Sequence, residues 1–279
     1  MVDAPRVVFL ANDAVFSAGL AFLESFRATN PDLQLSMVPF ADDVQKLEKL
    51  RDIYNFDILQ VDTARWDALG NEFFPGAPKK FLHRLRKLAL FDVDGPATIY
   101  LDLDMVVLSD LKFLVDPLTS GKADFICTAT GNDPWVYKPI YKDYDKLKNA
   151  RRFSDGFFAF NPKKLNADLA YKTIVDNKAD YLAVRADQVY CQPVTNFIVD
   201  MLGLNVGVVF DMFRDISPQV WYGSPLLQYV DGQVVADDGK KVLFVHWAGP
   251  VDMRKEFRLR ELFETYLTRA HEKVAGLGL

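Results

Sequence analysis

Cysteine, long apolar runs and excess positive charge are all scarce in this chain. Only two cysteines, Cys127 and Cys191, occur among 279 residues. Neither has CxxC spacing, which argues against a structural zinc site and a disulfide framework and leaves both thiols expected buried and reduced. No window approaches about 18 uninterrupted apolar residues, and MVDAPRVVFLAND at the start lacks a basic stretch followed by an apolar one. A membrane span and a signal peptide are therefore not expected, and the chain reads as cytoplasmic. Lys and Arg number 33 against 38 Asp and Glu. That balance offers no field to attract polyphosphate, so no nucleic-acid partner is expected. Internal repeats, low-complexity tracts and obvious linkers are missing too.

What is present is ample core material. Half of the residues are apolar, enough for one large domain or two small ones. RVVFLAND (6–13) is an apolar run ending in turn formers, and 17–31 then repeats apolar residues at helical spacing until Asn30-Pro31. Residues 33–40, 41–54 and 56–62 continue as strand, helix, strand, an alternation that implies crossover units and a mainly parallel sheet covered by helices. A helix is expected over 79–93, strands over 97–104, 123–129 and 152–162, and an aromatic loop over 132–146. Residues 187–202 read as a helix interrupted at Pro193. Strands over 206–210 and 241–247 and a closing helix over 254–274 complete the pattern, that helix carrying an apolar stripe of Leu259, Leu262, Phe263, Tyr266, Leu267, Ala270 and Val274.

The strand TIYLDLDMVV (98–107) carries two carboxylates, Asp102 and Asp104, at its end. Ligands of open α/β sheets bind beyond the carboxyl ends of strands, and side chains two apart on an extended segment point the same way. Two converging carboxylates repel unless a cation lies between them, so a divalent metal resolves the pair economically. A solvated acidic turn is the reading without a metal. Two chemistries use this spacing: a metal-bridged nucleotide-sugar diphosphate, or an aspartyl phosphatase of the haloacid-dehalogenase type. The phosphatase motif normally sits on the first strand, whereas about a hundred residues precede it here, although Asp237 and Asp238 in VVADDGK (234–240) offer that family's late acidic pair.

The wider stretch KLALFDVDGPATIYLDLDMVVLSDL (87–111) resembles glycogenin and its relatives, the family-8 retaining glycosyltransferases. VFLANDAVFSAGLAFLESF (8–26), FSDGFFAFNP (153–162), RADQVY (185–190) and FVHWAG (244–249) are similar to further blocks of that family, in the same order. The resemblance implies a single GT-A-type, Rossmann-like α/β domain over 1–279 with a mainly parallel central sheet flanked by helices. Its nucleotide-binding half would be 1–111, ending in the DxD motif, and its donor-sugar and acceptor half 112–279. The implied activity is transfer of a hexose, glucose or galactose first, from a UDP-sugar to a glycan, glycolipid or protein acceptor, with retention. Peripheral contact with a membrane through the basic start of the last helix is open, as is the oligomeric state.

The same resemblance implies roles for single residues. Asp102, Asp104 and His246 would hold Mn²⁺, with Mg²⁺ as second choice, since an imidazole in the ligand set favours a transition metal. Asn12, Asp13 and Val15 would face the nucleotide, Lys87 the phosphates, and Leu103 lies within the motif. Asp155, Asp187 and Gln188 would surround the donor sugar. Departures from the family pattern are Ser154-Asp155-Gly156 in place of Asn-Ser-Gly, Val15 and Phe16 where relatives place an aromatic against uracil, and a lysine after His-x-x-Gly that is missing or displaced to Arg254 or Lys255. The rival readings are the phosphatase, a non-catalytic nucleotide-sugar binder of the same fold, and a nucleotidyltransferase, which the lack of a Gly-rich basic loop after the first strand disfavours.

Overall fold

A computed structural model describes residues 4–128, 135–187, 191–248 and 257–278. Gln188, Arg254 and Lys255 lie outside the described residues, as do 132–134 of the expected aromatic loop. The central sheet has seven strands: β1 (Arg6–Ala11), β2 (Gln34–Pro39), β3 (Phe56–Ile58), β4 (Thr98–Leu101), β6 (Phe125–Cys127), β7 (Phe157–Phe160) and β8 (Val206–Val208). Their order is β3-β2-β1-β4-β7-β6-β8. Only β7 runs against the others, pairing antiparallel with both β4 and β6. A small second sheet joins β5 (Met105–Val107) to β11 (Phe244–His246), and β9 (Leu227–Val230) with β10 (Gln233–Ala236) forms a separate hairpin.

Four of the sheet's strands are buried in succession because helices cover both faces: β4, β6 and β7 are buried at every position, and β2 at its four central ones. The longer helices are α1 (Phe16–Thr29), α2 (Ala64–Phe73), α3 (Ala167–Asp176), α4 (Cys191–Met201) and α5 (Arg260–Val274). The two large apolar clusters each combine residues from before and after position 111. Leu262, Phe263, Ala270 and Val274 of the expected stripe are buried on α5, while Leu259, Tyr266 and Leu267 pack part-buried beside them.

Several expected elements change shape. Residues 79–93 form a short helix, Lys79–Leu82, and then a 3₁₀ segment, His83–Asp92. Pro193 does not interrupt α4, since it lies in the first turn, where a missing N–H costs no helical hydrogen bond. The strand expected over 97–104 ends at Leu101, and the chain bends before re-entering the second sheet as β5. Within the aromatic loop, Pro139–Asp143 is a 3₁₀ turn that seats Tyr137 and Tyr141 in the core and leaves Trp135 exposed. Both cysteines are free and buried, and burial pushes the Cys127 thiol up to about 12. Among the described residues no helix is long and apolar enough to cross a membrane.

Candidate active site

From β1 the sheet grows outward to β2 and β3, and then the chain returns to place β4 on the opposite side of β1. The crevice beyond the carboxyl ends of β1 and β4 is thus the topological switch point, the usual ligand position in a doubly wound sheet. Asn12 and Asp13 follow β1 there, and Asp102 to Asp104 follow β4. Because β7 is antiparallel, its start lies beside the end of β4, with Leu101 opposite Phe157. The Asp102 N–H donates to the Gly156 carbonyl at 2.8 Å, which places Asp155 against the pair. Pairing of β11 with β5 puts His246 opposite Met105, and the Trp247 N–H donates to the Asp104 carbonyl at 2.9 Å.

Three distant segments therefore deliver one cluster, and Lys87 joins it from a fourth. A ligand atom from each of Asp102, Asp104 and His246 lies within 4.8 Å of the others. His246 Nε2 stands 3.1 Å from Asp104 Oδ1 and 3.9 Å from Asp102 Oδ2. The two carboxylates converge because the chain bends at Leu103, not because it stays extended as the sequence pattern suggested. Leu103 itself turns away: it is buried, lies against Gly19 and belongs to the core between the sheet and α1. Only its backbone is left to face a ligand.

Asp102 is held by its other oxygen. Tyr100, two residues earlier on β4, donates its hydroxyl to Asp102 Oδ1 at 2.6 Å, and Lys87 Nζ lies 3.1 Å from the same atom. Lys87 also reaches Asp155 Oδ2 at 3.3 Å and donates to the Asp155 carbonyl at 3.0 Å, with its ammonium 4.5 Å from the Tyr100 ring centre. The residue expected at the phosphates is thus buried between two carboxylates. Burial alone would lower its pKa, but Asp102 and Asp155 outweigh that and raise it, so Lys87 is charged. Burial pushes the Asp155 carboxyl up, against the pull of Lys87 and with the charge of Asp102 adding to the rise. Burial and the charge of Lys87 likewise depress the His246 imidazole, and Asp104 and Asp102 together leave its pKa raised.

The cluster suits a divalent cation. Asp102 and Asp104 converge beside His246, and Asp155 shares Lys87 with Asp102, a concentration of carboxylates that a divalent cation would relieve. Two carboxylate oxygens and an imidazole nitrogen form a mixed donor set that favours a transition metal over Mg²⁺. The space between them is kept by Gly156, where an added Cβ would come 2.6 Å from His246 Cε1 and 3.0 Å from Asp102 Oδ2.

Behind the cluster, α4 fixes the wall. Asn196 accepts from the Phe153 N–H and donates to the Phe153 carbonyl, both at 2.9 Å, and Thr195 donates to Asp155 Oδ2 at 3.4 Å. Gln192 Oε1 accepts from the Asp155 N–H at 3.4 Å. Tyr100, Thr195, Gln192 and Asn196 were missed in the sequence. The only available signals were the two-residue spacing of Tyr100 from Asp102 and the one-turn spacing of Gln192 from Asn196.

The remaining expected residues are placed differently. Asn12 is buried and gives its amide to both oxygens of Asp43, at 3.0 and 3.1 Å. Asp13 accepts from the N–H groups of Lys46 and Leu47 at 2.9 and 3.1 Å, which anchors the segment after β2. Val15 is 43% exposed. Asp187 is exposed on the connection before α4 and pairs with Lys138 at 2.6 Å, a contact that lowers its pKa. Asp237 and Asp238 are exposed at the end of the β9–β10 hairpin, outside the central sheet.

No family model matches the chain, and no curated protein matches it. Among solved structures it is similar to the galactosyltransferase LgtC in complex with donor and acceptor sugar analogues, at 15% identity and a TM-score of 0.57 over 95% of each chain. It is also similar to the apo WbbM bifunctional glycosyltransferase, at 14% identity and a TM-score of 0.61 over 98% of this chain and 52% of that one. The apo form of the glycosyltransferase GlyE of Streptococcus pneumoniae TIGR4 matches at 14% identity and a TM-score of 0.57, over 99% of this chain and 64% of that one. The chain thus spans about half of WbbM and under two thirds of GlyE. What these likenesses establish is the fold: a mixed, mostly parallel seven-stranded sheet flanked by helices, of the glycosyltransferase GT-A type.

Proposed function

We propose that the chain is a metal-dependent glycosyltransferase that moves a hexose from a UDP-sugar to an acceptor, with retention at the anomeric carbon. The observation that carries this reading is the convergence of Asp102, Asp104 and His246 at the switch point between β1 and β4. These three residues would hold Mn²⁺, whose chemistry is to neutralise the diphosphate as it leaves. Tyr100 and Lys87 occupy Asp102 Oδ1 and leave Oδ2 for the metal. Orientation of a ligand by such outer partners tunes metal sites generally. Asp155, held by Lys87, Thr195 and the backbone bond to Gln192, lines the donor-sugar side, and Asp187 lies on the connection before α4, with Gln188 the next residue in the sequence. The nucleotide lies toward Asn12, Asp13 and Val15. Asn12 and Asp13 shape that end through Asp43 and the 46–47 backbone, so uridine would meet mainly backbone and the exposed Val15.

The phosphatase rival loses its second acidic pair, since Asp237 and Asp238 sit on an exposed hairpin end. Thermal unfolding in the presence of UDP and UDP-sugars, each with and without Mn²⁺, tests the proposal, because a ligand of the folded state raises the melting temperature. A shift that requires both UDP and Mn²⁺ is expected. Stabilisation by Mg²⁺ with a phosphate mimic, and none by UDP, would overturn it.

A further inference from the structure

Beside His246 of the Asp102–Asp104–His246 cluster lies an aromatic residue, Trp221. Trp221 is 54% exposed, whereas Trp66 and Trp247 are buried. A single exposed apolar residue needs no explanation, but this one is placed by the same backbone that places His246. The His246 N–H donates to the Val220 carbonyl at 2.8 Å, and the Tyr222 N–H donates to the His246 carbonyl at 3.1 Å. Trp221 and His246 are therefore bridge partners in parallel orientation, and their side chains emerge side by side on one face. The indole lies flat over the chain beyond it: a Cβ added at Gly223 would meet its Cη2, Cζ2 and Cζ3 atoms at 2.5, 2.6 and 2.7 Å. Tyr222 packs edge-on at a ring separation of 5.5 Å and in turn stacks on Trp247. A large ring is thus supported on one side by the backbone of Gly223, braced along an edge, and open to solvent at the rim of the cluster.

We propose that Trp221 is the platform on which the acceptor saccharide stacks, so that the acceptor is a neutral pyranoside with an apolar C–H face. The inference rests on the transferase reading for the word acceptor, but the saccharide contact itself can be measured without turnover. A ring already held in place contributes contact area with little ordering cost, which makes such an aromatic an effective anchor. Gly223 is part of the device, because alanine there would lift the indole off its seat.

The test is tryptophan emission of the full chain titrated with lactose, maltotriose and xylobiose, with and without UDP and Mn²⁺. Wild type is expected to respond to at least one of these sugars. Trp221→Ala should weaken that binding about tenfold or more, Gly223→Ala should weaken it with the indole still present, Trp221→Phe should keep most of it, and Trp135→Phe should leave it unchanged. For Trp221→Ala, which lacks the reporter, binding is read by calorimetry, and its UDP–Mn²⁺ stabilisation should match wild type. Equal saccharide affinity in Trp221→Ala, no response of wild type to any of the three sugars, or loss of UDP binding in place of sugar binding would each overturn the proposal. Sugar binding that depends on Trp221 in a protein that UDP and Mn²⁺ fail to stabilise would uphold the platform and reject the transferase.

Discussion

Two acidic pairs follow apolar strands in this chain, Asp102 and Asp104 after β4 and Asp237 and Asp238 after β10, and they end in opposite surroundings. The first pair is roughly one quarter exposed, faces His246, and is braced by Tyr100 and Lys87. The second is exposed, and Asp238 accepts the Lys240 N–H at 3.1 Å in a local turn. The residue types are the same. The difference is that β4 is a central strand, with the start of β7 and the end of β11 brought beside its end, whereas β10 belongs to a two-stranded hairpin outside the central sheet. A carboxylate acquires chemistry from what the fold brings opposite it.

Changes at the first pair should have the largest effect. Asp104→Ala removes a metal ligand, and Mn²⁺-dependent stabilisation by UDP should disappear. Even outer-shell changes cost about 10–100-fold in metal affinity, so a residual shift near the wild-type value would mean that the metal lies elsewhere. Lys87→Met should come next, because it leaves Asp155 buried without its cation; breaking such a pair costs about 3–5 kcal/mol. Urea unfolding reads that loss, and adding Asp155→Asn to Lys87→Met should restore much of it, as contacting sites are not additive.

A third carboxylate sharpens the comparison. Asp200, in the last turn of α4, is part-buried and accepts from the Tyr137 hydroxyl at 2.8 Å, with no ion-pair partner among the described residues. Burial raises its pKa to about 6. The folded chain therefore binds this proton more tightly than the unfolded chain does. The stability it contributes is complete below about pH 4 and lost as pH rises through 6, on the order of 2–3 kcal/mol. Asp200→Asn should flatten stability across that window, as measured by denaturation at several pH values. An unchanged slope would show that Asp200 is not responsible. The smallest effect is expected from Asp237→Asn with Asp238→Asn: within about 0.5 kcal/mol of wild type, with the UDP and Mn²⁺ response intact. A large loss there would revive the phosphatase reading.

Legibility in the sequence followed burial. β1, β2 and β4 were readable because their apolar runs are bounded by turn residues, and the Asp102–Asp104 pair stood out as charge set into such a run. His246 was recognisable only through the resemblance, since one histidine after a strand carries no marker of its own. Lys87 was placed at the phosphates by the resemblance alone, and its burial between carboxylates was not readable, because the 79–93 spacing reads as helical while the chain forms a 3₁₀ segment in which the lysine is buried. The reversed direction of β7 left no trace in FFAF, as a strand buried on both faces reads the same either way. Trp221 had no periodic partner, and its role depends on a bridge to a residue 25 positions later.

By itself the sequence determined the first strands and helix, the alternation that makes a mostly parallel sheet, and the presence of two carboxylates at the end of a buried strand. These depend on local propensity and on apolar periodicity, which are properties of neighbouring residues. Tertiary structure alone decided that Asp102 would be clamped by Tyr100 and Lys87, that Asp155 would share that lysine, and that Trp221 would stand beside His246. Each of these requires strands far apart in the chain to pair in one direction and register, and the free energy that selects that pairing comes from burying the whole core.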